Sequence, residues 1–338
     1  MSDDEGMVIK AMLGSLLLIA SPPRSLDEAR ALLPDMKPWH QRGWTVLSDA
    51  PRPSVQQVQR TLERTRQEWD RFLRLMERPR SGPDRALLCL LFTDDAQYQQ
   101  FARQHDDLSI DPAHVPGYFS PRNGWIVFLD PGEHLDLEAA WEQIDDYQRE
   151  VDQARAAGAQ VHEAMAQLES ARQELAQSEV IRRMALTAHE TVHQLVHLTE
   201  AFPHHRHWPA WLHEGLSSAF ETADRRRPFG PDRDFANRRE AFLERLDSGS
   251  VSSIPALLQV AELNHDDADQ VAAAYIDGCA LISWLARTRR GSLADFLDAI
   301  GSTDAQGLPL SAPAAFASHI GNPEQLTRTW WADERRRR

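Results

Sequence analysis

The stretch His189-Glu190-Thr191-Val192-His193, followed by Trp211-Leu212-His213-Glu214-Gly215, decides how this chain of 338 residues is interpreted. Two histidines four positions apart lie on the same face of a helix, one turn above the other. Two imidazoles at that spacing can bind a single zinc ion, each through a bond of about 2.0–2.1 Å. We therefore predict that His189 and His193 are metal ligands.

A third ligand has to come from another part of the chain, because a catalytic zinc usually keeps three protein ligands and one open position. Glu214 follows His193 at a distance that allows the first helix to end and a second helix to pack back against it. Pro203 and Pro209 lie in the connection, where they favour a turn. We predict that Glu214 is the third ligand of one Zn²⁺ ion.

Glu190 lies beside the first histidine and faces a neighbouring part of the surface, within reach of a water on the metal. Zinc lowers the pKa of its bound water toward about 7 and polarises a substrate carbonyl. Glu190 can then accept the proton of that water and pass it to the leaving amine. This pattern predicts a zinc-dependent peptidase. Two alternatives stay open, a zinc hydrolase acting on a non-peptide amide and a non-catalytic zinc-containing interaction protein.

The segments HETVH (189–193) and WLHEGLSSAFE (211–221) together resemble the gluzincin metallopeptidases, especially those with a Trp-Leu-x-Glu-Gly second helix, such as the M1-like aminopeptidases. The wider context is similar to the peptidase MA-like domains of the DUF1570 type. The resemblance is strong over residues 184–222 and weak over 40–130 and 275–285. The sequence has no obvious exopeptidase signature for binding the N-terminus of a substrate, so the resemblance does not extend to aminopeptidase activity.

The resemblance implies two further features of the site. Related enzymes often use a tyrosine or histidine from the downstream helical region to stabilise the oxyanion, which makes Tyr275 the candidate here. A strand such as Trp125–Leu129 borders the cleft in those enzymes, and a substrate backbone can add to its edge. A plain core strand at this position is the alternative.

The other histidines near the motif are assigned other roles. His197 continues the face of His189 and His193, but a straight helix does not wrap three turns around one ion, so we expect a supporting or structural role. His204, His205 and His207 lie in the loop and are expected to be solvated. Ligand imidazoles usually donate their second nitrogen to a partner, and Glu200 and Glu221 are the candidates for that partner.

The pattern of apolar residues predicts an α+β fold with an inserted helical hairpin. Residues 135–179 lack proline and carry apolar residues at helical spacing, interrupted at Ala156-Ala157-Gly158, which indicates two antiparallel arms. The second arm is expected to run on into the metal helix. The hairpin is a possible surface for a protein partner, and a purely structural arm is the alternative. The predicted divisions are a leader (1–23), a small α/β part with a mixed sheet (24–135), the hairpin (136–180), the zincin-type active-site helices (181–222) and a C-terminal helical part (223–338).

Composition excludes some classes of protein. A net charge of −14 and a pI near 5.4 argue against a nucleic-acid-binding protein, which normally carries a basic patch. Cys89 and Cys279 lie in apolar runs and are predicted to be small buried residues. Residues 7–23 resemble a secretory signal peptide, too short to span a bilayer comfortably, which slightly favours a secreted or periplasmic protein over a cytoplasmic one.

Overall fold

The computed structural model describes residues 25–78, 86–108, 115–130, 135–199, 201–234, 236–264, 267–303 and 307–337. The predicted leader lies outside these residues. The described part of the chain is an α+β structure with a five-stranded mixed sheet and a large share of helix, as the sequence predicts. No helix in these ranges combines the length and the apolarity needed to cross a membrane.

The sheet consists of β1 (Lys37–Gln41), β2 (Trp44–Ser48), β3 (Leu87–Phe92), β4 (Gly117–Ser120) and β5 (Trp125–Leu129). Their order is β1-β2-β3-β5-β4. The three central strands, β2, β3 and β5, run parallel to one another, whereas β1 and β4 pair antiparallel at the two edges. β5 is therefore an interior strand, and the prediction that Trp125–Leu129 offers its edge to a substrate is wrong. The edge strand on that side is β4.

Side chains of the central strands are buried on both faces of the sheet. Alternate residues of β3 enter two different cores, because successive side chains of a strand point to opposite faces. Cys89 and Leu91 pack into a large core with α2 (Arg52–Leu75), while Leu88 and Leu90 pack into a smaller one. The smaller core is completed by α1 (Leu26–Leu32) and α3 (Asp95–Asp106). A strand that is buried on both faces has a continuous run of apolar residues in its sequence, and Leu87–Phe92 is such a run.

The predicted hairpin consists of α4 (Leu135–Ala156) and α5 (His162–Leu198). Gly158 has a φ of +83°, a conformation that only glycine adopts readily, and it reverses the chain between the two arms. Val151 and Leu168 are buried where the arms meet. α5 continues without a break from the outer arm into the large core, so the predicted continuity with the metal helix is confirmed.

The C-terminal part is helical. It begins with α6 (Ala210–Ser218), α7 (Ala236–Ser248), α8 (Ile254–Leu257) and α9 (Ala268–Ala272). A π-helical turn, Ala273–Asp277, joins α9 to α10 (Gly278–Thr288). The part described ends with α11 (Arg290–Ala299), α12 (Ala312–His319) and α13 (Pro323–Arg336). The large core contains side chains from the sheet, α2, α5 and this region, so the part of α5 that carries His189 and His193 lies inside it.

Both cysteines are buried free thiols, as predicted. Burial raises the pKa of each thiol well above its ordinary value. Neither side chain is therefore activated as a nucleophile, since the thiolate is the reactive form.

Candidate metal centre

The two predicted imidazole ligands lie side by side on α5. Their ring centroids are 4.9 Å apart, and the two Nε2 atoms are 3.1 Å apart. His189 is fully buried, and His193 is 5% exposed. Apolar neighbours on α5, such as Val192 and Leu195, pack into the large core and place the helix face with the two imidazoles inside the molecule.

The third predicted ligand reaches the same point from α6. Glu214 Oε2 is 3.1 Å from Nε2 of His189 and 3.5 Å from Nε2 of His193. Two ligand atoms bound to one tetrahedral zinc at the usual bond lengths are about 3.3 Å apart. The three separations therefore match the donor set of a single ion, and this buried group can hold a metal ion.

An unpaired oxygen of the group also indicates a metal site. Glu214 Oε1 is buried and has no hydrogen-bond partner among the described residues. A buried carboxylate oxygen without a partner costs free energy, so it indicates a water or an ion at that position. Only three metal-ligating side chains of the described residues form this group, and that number leaves a coordination position for solvent or substrate.

The charges of His189 and Glu214 shift each other's pKa. Burial alone lowers the pKa of His189, but hydrogen bonds to Glu214 and Glu221 raise it to about 10. Burial alone raises the pKa of Glu214, and the neighbouring His193 and His189 lower it well below its ordinary value. Without a metal, the protonated imidazole of His189 thus donates its Nδ1–H to Glu221 and its Nε2–H to Glu214. A divalent cation would replace the proton on Nε2.

Glu190 lies within the same buried region, and neither of its carboxylate oxygens has a hydrogen-bond partner among the described residues. Burial raises the pKa of this carboxyl above its ordinary value, and the nearby His189 and His193 oppose the rise. The backbone N–H of Phe119, in β4, also opposes it without reaching the geometry of a hydrogen bond. A raised pKa and unused oxygens suit a carboxylate that accepts and returns a proton.

A carboxylate behind His189 fixes the orientation of its ring. Nδ1 of His189 donates to Glu221 Oε1 over 3.1 Å, and Arg238, on α7, donates to both oxygens of Glu221 over 2.7 and 2.8 Å. The chain Arg238–Glu221–His189 leaves Nε2 of the imidazole directed at the metal position, as ligand histidines require. Of the two predicted partners, Glu221 occupies this position, and Glu200 lies outside the described residues.

Tyr275 packs against the first ligand. Its ring stacks on that of His189, with centroids 5.7 Å apart and 15° between the planes, and the guanidinium carbon of Arg238 lies 5.9 Å from the centroid of the tyrosine ring. The π-helical turn carries this residue, and such turns are frequent at functional sites. The structure thus brings Tyr275 next to His189, one of the predicted metal ligands. Its role in stabilising an oxyanion stays a prediction.

Two features that hold the ligands in place were not predicted. Gln194, next to His193, donates from Nε2 to the carbonyls of Leu88 and Gly124 and accepts from the indole of Trp44, each over 2.9 Å. This fully buried amide fastens α5 to β2, to β3 and to the turn before β5. The sequence feature that could have indicated this role is a glutamine directly after a helical His-Glu-x-x-His.

The second feature is a close helix crossing at Gly215. A Cβ built on this glycine would lie 2.6 Å from the carbonyl carbon of Gly278, at the start of α10. A Cβ on Gly278 would lie 2.8 Å from the carbonyl oxygen of Trp211. Only glycines allow this approach, and it sets the position of Glu214, the residue before Gly215.

Among the described residues, His197, His205 and His213 do not join the group of His189, His193 and Glu214. Nδ1 of His197 is 3.4 Å from Nε2 of His205. His213 donates from Nε2 to the carbonyl of His205 over 3.0 Å. His205 is buried, which corrects the prediction of a solvated side chain, because the loop folds back onto α5.

Comparison with known proteins places residues 183–305 within a family model described as "Protein of unknown function (DUF1570)". The matched range contains both ligand-bearing helix segments and the π-helical turn. The DUF1570 part of the resemblance is therefore confirmed for this range, while residues 40–130 fall outside the match. No curated protein and no solved structure matches the chain.

Proposed function

We propose that this protein is a zinc-dependent metallopeptidase of the gluzincin type. The observation that carries the proposal is the convergence of His189, His193 and Glu214 beside Glu190, whose carboxylate oxygens have no hydrogen-bond partner in the part of the chain that the structure describes. Structural zinc sites usually have four protein ligands, whereas catalytic sites have three and an open position. The three-ligand group therefore favours catalysis over a purely structural metal.

The bound zinc would act as a Lewis acid and make a water acidic near neutral pH. Glu190 accepts the proton of the attacking water and then protonates the leaving nitrogen. Its raised pKa brings the carboxyl closer to the working pH, which suits both transfers. Glu221 and Arg238 keep the ring of His189 in place, and Tyr275 packs against it. Tyr275 is the proposed donor to the oxyanion.

The substrate we propose is a peptide in extended conformation. β4 ends the sheet on the side of α5, and its Phe119 faces Glu190 through a backbone N–H. An extended peptide can hydrogen-bond to the backbone of an edge strand, which would bring its scissile bond beside Glu190. The ligands are almost wholly buried, so substrate entry requires movement of the elements around the site.

The test is cleavage of a mixed peptide library by the purified protein loaded with one equivalent of zinc, read by mass spectrometry. Glu190→Gln should bind zinc as tightly as the wild type and lose cleavage by two orders of magnitude or more. Glu163→Gln, on the exposed outer part of α5, is the matched control and should retain full activity. No cleavage by the zinc-loaded wild type, or undiminished cleavage by Glu190→Gln, would overturn the proposal.

A further inference from the structure

A small cavity lies where α7, α10 and α13 meet, and none of the three predicted metal ligands lines it. Its volume is about 20 Å³, which is enough for one particle of about the size of a water molecule. Arg239 from α7, Arg287 from α10 and Glu334 from α13 lie in its wall, and Phe242 and Ala280 add apolar surface. A ligand of this cavity therefore has to be very small.

One side chain of the wall has a nitrogen without an acceptor. Nη1 of Arg239 donates to Glu334 Oε2 over 2.6 Å, whereas Nη2 is buried and has no hydrogen-bond partner among the described residues. A guanidinium is flat and rigid, so Nη2 lies beside Nη1, at the wall of the same cavity. A buried donor of a charged group loses its hydrogen bonds to water, so this nitrogen indicates a ligand that accepts hydrogen bonds.

The charges around the cavity do not balance. Three guanidinium groups, those of Arg239, Arg287 and Arg337, share the two carboxylates of Asp234 and Glu334, over distances of 2.6 to 3.3 Å. Two negative charges leave one of the three positive charges of this network uncompensated. Burial, together with the neighbouring Arg337 and Arg239, lowers the pKa of Arg287 below its ordinary value, although both carboxylates oppose the shift.

The remaining cation of the wall does not change this balance. Arg238 also lines the cavity, but it donates to both oxygens of Glu221, which matches its charge. A water molecule in the cavity would accept a hydrogen bond from Arg239 and leave the excess positive charge as it is. A small anion would supply both the acceptor and the missing negative charge, and charges that are mostly buried are screened little by salt.

We propose that this cavity binds one chloride ion, with Nη2 of Arg239 as a hydrogen-bond donor to it. Chloride is a single atom with one negative charge, so it matches both the volume of the cavity and the excess charge of the network. Phosphate has four oxygens around a central atom and is too large for this volume. The ion would link α7, α10 and α13, because all three helices contribute to the wall.

The test is thermal unfolding of the full chain at constant ionic strength, with chloride replacing gluconate, an organic anion too large for the cavity. The protein is kept free of zinc, so that chloride has no metal to bind. The midpoint of the wild type should rise with chloride and then level off, by about 2 °C or more, because a ligand that binds only the folded state stabilises it. The midpoint of Arg239→Gln should not depend on chloride. Arg328→Gln removes the same charge from an exposed position on α13 and is the matched control, which should keep the wild-type dependence.

A direct measurement of binding does not require a variant. In chlorine-35 NMR, the wild-type protein should broaden the chloride signal, and bromide should reverse the broadening by competing for the site, whereas phosphate should not. A wild-type midpoint equal in chloride and gluconate, a chloride dependence that persists in Arg239→Gln, or an unbroadened signal would overturn the proposal. Equal stabilisation by phosphate would do the same, because phosphate does not fit the cavity. None of these readouts depends on zinc or on peptidase activity.

Discussion

Replacement of Gln194 by leucine tests how α5 is fixed to the sheet. Leucine has a similar volume but no polar atoms, so Gln194→Leu would leave the indole N–H of Trp44 and the carbonyls of Leu88 and Gly124 without this partner. A buried unsatisfied group costs about 1–3 kcal/mol, and less for a carbonyl that keeps another bond. We expect the free energy of unfolding to fall by about 3–5 kcal/mol, a large part of the total for a folded domain.

The assay is urea unfolding of the metal-free protein, followed by tryptophan fluorescence and circular dichroism. The midpoint should fall while the slope with urea stays unchanged. Gln173→Leu, at an exposed position on the same helix, is the matched control and should change stability by no more than about 0.5 kcal/mol. A loss below about 1 kcal/mol for Gln194→Leu, or an equal loss for the control, would refute the reasoning.

Two further predictions concern the helix crossing and the ligand charge. Gly215→Ala places a Cβ against the backbone of Gly278, so it should lower the free energy of unfolding, measured by heat or urea, by about 1–3 kcal/mol or more. Gly291→Ala is the matched control, because a Cβ there meets nothing within 4 Å, and its free energy of unfolding should stay within about 1 kcal/mol of the wild-type value. Equal losses in the two variants would contradict the close helix crossing. In the metal-free protein a pKa of about 10 keeps His189 protonated at pH 7.5, so zinc binding should release about one proton from it. Calorimetry of zinc binding in buffers of different ionisation enthalpy measures the number of protons released, which should be smaller in Glu221→Gln. Binding heats that do not depend on the buffer would contradict the raised pKa of His189.

The raised pKa of His189 also sets a pH dependence of stability. Its folded pKa lies above the unfolded value, so the stabilisation of the metal-free protein is complete below about pH 6.5 and is lost as the pH rises through about 10. Apparent zinc affinity should rise over the same window, because the imidazole has to lose its proton to bind.

The parts of the site that the sequence predicted depend on local spacing. His189, Glu190 and His193 lie within two turns of one helix, and helical periodicity alone brings them together. Glu214 was predictable because a turn and a second helix follow directly. The long hairpin was predictable for the same reason, since its apolar stripes and the break at Gly158 are local signals.

The missed features depend on contacts between distant segments. The edge strand β1 (Lys37–Gln41) is polar and contains Pro38, and β4 (Gly117–Ser120) has only four residues, so neither has the apolar run of a central strand. Both are strands only because a neighbour pairs with them. The interior position of β5 follows from that pairing and was not visible beforehand.

The support of His189 shows the same limit. Glu221 was one of two candidates, and Arg238, which fixes it, lies on another helix after a loop. The burial of His205 likewise depends on a loop folding back onto α5. Spacing along the sequence does not encode either contact.

The most direct test of the central claim is X-ray absorption at the zinc edge, on protein loaded with less than one equivalent of Zn²⁺. The account predicts two imidazole nitrogens and one or two oxygens at about 2.0–2.2 Å, with one imidazole lost in His193→Ala and one oxygen lost in Glu214→Ala. A zinc environment unchanged by both substitutions would contradict the convergence of these side chains on one ion.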